Sequence, residues 1–520
     1  MSPHVLAALA VADFRDRTRR PAFLIVMLAA AGLGYLAAPP ASTGYTMVKI
    51  GAFRGVYDSG YLGVMLAMVG SLWLSLCGFY LVKNTITRDT ATGVGQILAA
   101  TPLGKATYLL GKFLSNFLVL AALAGALAAT APLMQLLRGE SSTIDPVALW
   151  LPFVLLCLPI LAVGAAGALL FESVRALRGG AGNIVWFFAF LVLFVAGLAT
   201  GMNAVGAGLR ADLLAQHPGV TDTEISIGLT VEEGGLGRFV WSGLDVTGGL
   251  VVRQLGYLVL AALIAVLPAL WFARFDPARG AAVTGTAGAS AELPSRAGAG
   301  AGSGAFAETT RPRAPVVRGA RFRVLVAGEL RILLKGQSRW WWLGLLGLTI
   351  AAFAVPAGGG PGTVLLLAWL WPVLLWSRLG THADEHDVHL LLDSGPARRR
   401  RLLGQWSAGV AVAALTGAGP LVRMLIDGDL PGAAAWLGGA VFISTLAILL
   451  GCLSRSARLF QLVYLMLWYA VVNRVTTLDF IGAVRDGGRL TGPSPLLVLA
   501  VSVLLLTATM LTKEIRDAHR

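Results

Sequence analysis

Uninterrupted apolar segments leave this chain little choice of environment, and Gly60–Val82 (GYLGVMLAMVGSLWLSLCGFYLV) is a clear example. A helix of about 20 apolar residues matches the hydrocarbon thickness of a bilayer, inside which its backbone must satisfy its own hydrogen bonds. Twelve such segments occur along the chain. They run over 21–38, 60–82, 113–136, 147–171, 184–201 and 255–273, then over 341–355, 363–376, 406–425, 433–453, 459–472 and 495–511. The expected fold is therefore an all-α polytopic membrane protein of about 12 spans. A hydrophobic content of 56% against 13% charged residues excludes an ordinary soluble domain.

The formal net charge of +14 could point to nucleic acid, which needs basic residues on one exposed face. Here they alternate with the apolar segments, as membrane topology places them, and no nucleic acid is expected. The same bias puts both termini in the cytoplasm and the acidic 203–253 stretch, with Asp212, Asp222, Glu224, Glu232, Glu233 and Asp245, outside. The abundance of Arg, Gly and Ala suggests a high-GC bacterial source, hence a plasma (inner) membrane. Cys77, Cys157 and Cys452 all fall in apolar runs without metal spacing and read as packing residues. The amino terminus lacks a small-residue cleavage site, so no cleaved signal peptide is expected.

Three domains follow. Residues 1–275 form a first half and 318–520 a second, separated by an Ala/Gly/Pro-rich linker at 276–317 too poor in large apolar residues to fold alone. Each half opens on a basic amphipathic helix lying at the membrane surface, with Asp13 and Arg15 in the first and Glu329 and Arg331 in the second. VADFR at Val11–Arg15 resembles VAGELR at Val326–Arg331. A second match pairs QILAATPLGKATYLLGK from Gln96 with HLLLDSGPARRRRLLGQ from His389. An even number of spans per half gives a parallel repeat, with both halves starting on the same side.

The spans are nearly free of charge, whereas ion-coupled carriers keep ionisable side chains within them. No GxxxxGK[ST] phosphate loop occurs, so the chain is not expected to be an ATPase itself. Between the second and third spans, Arg88–Lys112 (RDTATGVGQILAATPLGKATYLLGK) reads as a short helix, a break at Thr101–Pro102, and a helix entering the next span. His382, His386 and His389 at i, i+4 and i+7 share a helical face that could hold zinc, but a charged interfacial helix accounts for them and the run has no cysteine, so no metal site is expected. Arg398–Arg401 reads as a positive anchor at the membrane surface.

The basic first helix, the span pair, the D-x-x-x-G…L-x-x-x-P-L-x-x-x-Y-L-L-G-K segment and the long loop between spans five and six resemble the permease subunits of ABC-2 type exporters. The resemblance covers both halves, leaving out the linker. It implies a translocation pathway between two fused six-span halves, powered by separate ATP-binding-cassette subunits in two copies, which would carry the ATP and Mg2+. It also implies re-entrant segments between spans five and six, and a coupling helix in the first cytoplasmic loop. Carried over by residue, the coupling positions are Arg88, Asp89, Gly93, Leu98, Pro102, Leu103, Tyr108, Gly111 and Lys112. In the second half Leu392, Pro396, Leu403 and Gly404 match, while the Asp and Gly positions are replaced by ADEHD, which leaves Asp384, Asp387 and Arg398 as the further coupling candidates. There PLGKATY becomes PARRRR, so the two docking segments are expected to be unequal. The competing readings are a six-plus-six secondary carrier, which predicts a charged residue at mid-span, and a membrane transferase, which predicts clustered carboxylates at an outer surface.

Overall fold

The computed structural model describes residues 3–40, 45–200, 203–231, 236–272, 275, 322–354, 362–381, 398–486 and 489–518. The linker expected at 276–317 lies outside them. The chain divides into two compact units, Met1–Gly280 and Ala281–Arg520. Its described residues are mostly helical, which is compatible with a multi-pass membrane protein. Among the described residues, six helices are long and apolar enough to cross a membrane, or eight if each of two sharply bent pairs is one span, and four more apolar helices are shorter.

In the first unit, α1 (Pro3–Thr18) and α2 (Pro21–Ala37) meet at 85°. Pro21 sits at the start of α2, where its missing N–H costs nothing. The centre of the unit is α3 (Ser59–Val82), whose amino end is capped by the Asp58 carboxylate accepting from Tyr61 N. Packed on α3 are α6 (Lys105–Arg138) and the kinked pair α7 (Pro146–Pro152) and α8 (Leu158–Ser173). Gly70 and Gly78 make the α3–α6 approach possible, since a methyl group at either would meet Leu127 or Leu120 at 2.7 or 2.5 Å. Small residues at such crossings are the usual source of helix association in lipid. Between α7 and α8 the backbone widens to a π turn at Phe153–Cys157, flanked by Pro152 and Pro159. Proline rings disturb the helical ladder at such points. Two further helices, α9 (Gly180–Thr200) and α11 (Gly248–Val266), complete the bundle.

The acidic 203–253 stretch, expected as an outside loop with re-entrant segments, carries helix and strand in its described residues. It contributes α10 (Asn203–Gln216), β3 (Ile225–Val231) and β4 (Gly237–Phe239). These join β1 (Tyr45–Ile50) and β2 (Phe53–Gly55), from the loop after α2, in one sheet of order β3-β1-β2-β4. β1 runs antiparallel to β2 and β3, while β2 and β4 are parallel. Gln216 seals α10 to the strand end by accepting from Val240 N at 2.9 Å and donating to Val240 O at 2.6 Å. An ion knot fixes this cap to the bundle. Glu140, just past α6, takes two hydrogen bonds from buried Arg54 at 2.7 and 3.1 Å, one from Tyr57 N at 3.1 Å, and an ion pair from Arg238 at 2.9 Å.

The Arg54 hydrogen bond, partly opposed by burial, holds the Glu140 carboxyl below its ordinary range. A lowered folded value contributes stability that is complete above the unfolded value of about 4.3 and lost as pH falls through the folded one. Glu140→Gln should therefore unfold at a lower temperature than the wild type at pH 7, and the gap should close as the pH drops below about 4. A gap constant from pH 7 to pH 3 would contradict the assignment.

The second unit starts with the helix Phe322–Leu334 and continues through Arg339–Ala354 and Gly362–Leu370. Pro372 interrupts the next turn before Val373–Trp376. Arg398–Thr416 and Ala418–Ile426 meet at Gly417, with a bend of 64°. Leu430–Ser454, Ala457–Val472 and Pro495–Ala518 follow. Between the last two, Asp479 gathers a tight turn by accepting from the backbone N–H groups of Ile481, Ala483 and Val484. Phe480 and Ile481 are thereby buried against Gly439 of Leu430–Ser454.

Candidate functional site

The segment joining α3 to α6 lies at the end of α3 away from the sheet, about 36 Å along a 24-residue helix. Lys83 and Asn84 end α3, Asn84 with a positive φ of 81°. Then comes α4 (Thr85–Ala91), a left-handed turn at Gly93 with φ +74°, and α5 (Val94–Ala99). Gly93 is the natural occupant of that turn, because a side chain would clash with the backbone there. Thr101 closes α5 with a hydroxyl bond to Leu98 O at 2.7 Å, and Pro102 keeps the helix from continuing. Gly104 then caps α6.

Beneath this segment is a buried ion cluster drawn from three elements. Tyr108, Lys112 and Ser115 stand on one face of α6, at i, i+4 and i+7. Asp89 of α4 accepts from Tyr108 Oη at 2.8 Å and pairs with Lys112 Nζ at 2.8 Å. Asp13 of α1 pairs with Lys112 at 3.2 Å and Arg17 at 2.9 Å, accepts from Ser115 Oγ at 2.6 Å, and also pairs with Arg88. Arg88 reaches Asp16 as well, at 3.0 Å. The exposed Asp16 also pairs with Arg20 at 3.0 Å, so the two buried carboxylates, Asp13 and Asp89, are served by Arg17, Arg88 and Lys112. Burial alone would raise the Asp13 carboxyl, but Arg17, Lys112, Ser115 and Arg88 together hold it down at about 2.

The Tyr108 ring stacks on Phe272 at 5.7 Å and meets Phe275 edge-on at 5.6 Å. Gly95 rests on that same Phe275, where a methyl group would come within 2.6 Å. This buries the inner side of α5 and turns Val94 (42% exposed) and Ile97 (69%) outward. No charged residue occurs from Thr90 to Gly104, so the tip is uncharged, with Val94 and Ile97 exposed beside Thr92, Gln96 and Thr101.

The residues singled out from sequence thus separate into two groups. Asp13, Asp89, Tyr108, Lys112 and, partly, Arg88 form the buried clamp. Gly93, Leu98, Pro102 and Leu103 shape the tip, with Pro102 exposed and Leu98 and Leu103 half-buried. Arg15 and Arg331 are exposed. Asp384, Asp387, Leu392 and Pro396 lie outside the described residues, as do His382, His386 and His389. Arg398 opens the helix that runs to Thr416.

A related arrangement occurs among the described residues of the second unit. Buried Glu329 pairs with Arg401 at 3.4 Å, and Leu325, four residues before the acid, lies against Gly404. In the first unit Leu9, four residues before Asp13, lies against Gly111, where a methyl group would sit 3.1 Å away. Arg401 occupies the place of Tyr108, and Gln405 that of Lys112.

Sequence reasoning passed over two buried groups beside the clamp. Glu172, at the end of α8, is fully buried and accepts from Thr87 N at 2.6 Å and Thr85 Oγ1 at 3.1 Å. Lys83 donates to Leu177 O at 2.9 Å, Gly179 O at 3.3 Å and Asn183 Oδ1 at 2.7 Å. A lone acid at the end of an otherwise uncharged apolar segment was the available signal. No protein-family model matches this chain, and searches of curated proteins and of solved structures found no match.

Proposed function

We propose that the chain is a fused, two-half permease of the ABC-2 type, which forms the pathway of an ATP-driven exporter in a bacterial plasma membrane and has both termini in the cytoplasm. The ATP and Mg2+ would be bound by separate ATP-binding-cassette subunits, two per chain. The observation carrying this reading is the charge-free tip of α5, with Val94 and Ile97 turned outward, mounted on a buried ion clamp. A solvated loop with no partner needs neither an outward Ile97 nor three elements tied beneath it. A tip of this kind fits a groove on another protein, and the clamp gives it a rigid seat through which a push reaches α1 and α6.

Two further observations support the reading. The six long helices, two bent pairs and four shorter helices fall one for one on the twelve apolar segments of the sequence. The acid-bearing helix that packs its Leu on the glycine of LLGK or LLGQ recurs in both units, as a parallel six-plus-six repeat requires. Against a secondary carrier stands the placement of charge. Asp13, Asp89 and Lys112 gather at one end of the bundle, paired with one another, rather than standing at mid-span where a coupling ion would need them.

Copurification with its source-cell ATPases tests the proposal. The tagged chain should retain an ATP-binding-cassette subunit in detergent, and vesicles holding the complex should transport only with ATP and Mg2+. Transport driven by an ion gradient, with no ATPase retained, would overturn it.

A further inference from the structure

We infer that Glu172 and Lys83 form a reciprocal lock that passes movement of the α4–α5 segment into α8 and α9, making both of them positioning residues for coupling. This rests on the function proposed above and adds a route to it that no coupling position named from sequence includes.

The lock follows from how two chain reversals satisfy their backbone groups. The first turn of a helix has N–H groups without intrahelical partners, ordinarily met by an N-cap side chain. Asn84, at the N-cap of α4, makes no such bond. The cap comes instead from Glu172 of α8, which accepts from Thr87 N and Thr85 Oγ1. A carboxylate at a helix amino end also meets the positive end of the helix dipole. In return, Lys83 at the end of α3 reaches the turn between α8 and α9, where it holds Leu177 O, Gly179 O and the side chain of Asn183. Tyr80 adds a hydroxyl bond to Asn183 O at 2.8 Å. Each reversal thus supplies the polar group that the other lacks.

Glu172 and Lys83 are both buried, so the lock is shielded from water and cannot exchange its bonds for solvent without opening. The ion clamp joins α4 to α1 and α6, whereas Glu172 joins it to α8 and Lys83, two residues before α4 at the end of α3, joins the start of the segment to α9. Movement of α5 therefore reaches two sets of helices by two separate connections. Breaking the lock should leave partner docking intact, because Val94 and Ile97 do not take part in it, while weakening the conversion of ATP hydrolysis into transport.

The experiment compares Glu172→Gln, Glu172→Leu and Lys83→Met in the full chain copurified with its ATPase and reconstituted in vesicles, and reads transport per ATP hydrolysed. Glutamine keeps an acceptor for Thr87 N and can donate to the Thr85 hydroxyl, so Glu172→Gln should stay within about twofold of wild type, losing only the dipole contribution. Glu172→Leu and Lys83→Met should lower transport per ATP roughly fivefold or more, as loss of a helix cap predicts, with the ATPase still retained. Equal coupling in all three variants, or a Glu172→Gln as impaired as Glu172→Leu, would overturn the lock. A wild-type chain that binds no ATPase would instead overturn the function on which it rests. If Glu172→Leu fails to fold, Lys83→Met alone decides, since it breaks the lock from the opposite side.

Discussion

Replacing Lys112 with methionine will destabilise the protein by about 3–5 kcal/mol, the usual cost of removing one partner from a buried charge pair, read as a fall in the thermal unfolding midpoint in detergent. Methionine matches the lysine stem in length, so the packing around Tyr108 and Leu109 should survive and the effect should be electrostatic. The two carboxylates that Lys112 serves do not suffer equally. Asp13 keeps Arg17, Arg88 and Ser115, whereas Asp89 is left with the Tyr108 hydroxyl and no cation. Neutralising Asp89 should therefore rescue the variant. Lys112→Met combined with Asp89→Asn should be more stable than Lys112→Met alone, with a coupling energy of about 1–3 kcal/mol between the two sites. Additive losses would mean that Asp89 and Lys112 do not depend on each other. The asymmetry between the two units makes the same point from the other side. Where Lys112 is replaced by Gln405, the acid of the amphipathic helix is met by Arg401 instead.

The apolar segments were legible because hydropathy is a local property and each of these helices satisfies its own backbone. Thr101–Pro102 and Gly93 were legible for a related reason, since proline and glycine restrict the chain wherever they stand. The sheet was not. YTMVKI and ISIGLTV are short, and they pair across about 170 intervening residues, so neither strand can exist without the other and neither announces itself. An excess of acids made the second strand look like a solvated loop. The clamp was half legible. Asp89, Tyr108 and Lys112 could be singled out from their segment, but their burial depends on Asp13, whose hydrogen bond to Lys112 joins residues 99 positions apart. Without that contact, charged residues in a polar segment read as a surface facing a partner. Glu172 escaped notice because its bonds are to backbone and hydroxyl groups rather than to an opposite charge, and such bonds leave no trace in charge pattern.

The separation of seat from tip gives Ile97→Asp an effect opposite in kind to that of Lys112→Met. Ile97 is the most exposed large side chain of α5, and its replacement by aspartate removes no internal contact of consequence, so the unfolding midpoint should stay within about 0.5 kcal/mol of wild type. Partner retention should not survive. If an apolar groove receives the tip, burying an unpaired carboxylate there costs several kcal/mol unless water or a cation follows it in, and losing a central apolar anchor costs about 2 kcal/mol or more by itself. Together these predict at least roughly 30-fold weaker binding, measured as the ATPase retained on the immobilised chain across a titration. Ile97→Leu, which keeps the volume and the apolar surface, should bind within about threefold of wild type, since volume-conserving apolar exchanges usually cost little. A stable Ile97→Asp that still binds at full strength would show that the tip is not the contact. A loss of binding shared by Ile97→Asp and Lys112→Met, with loss of stability in the second alone, would separate the surface that meets the partner from the buried charges that hold it in place.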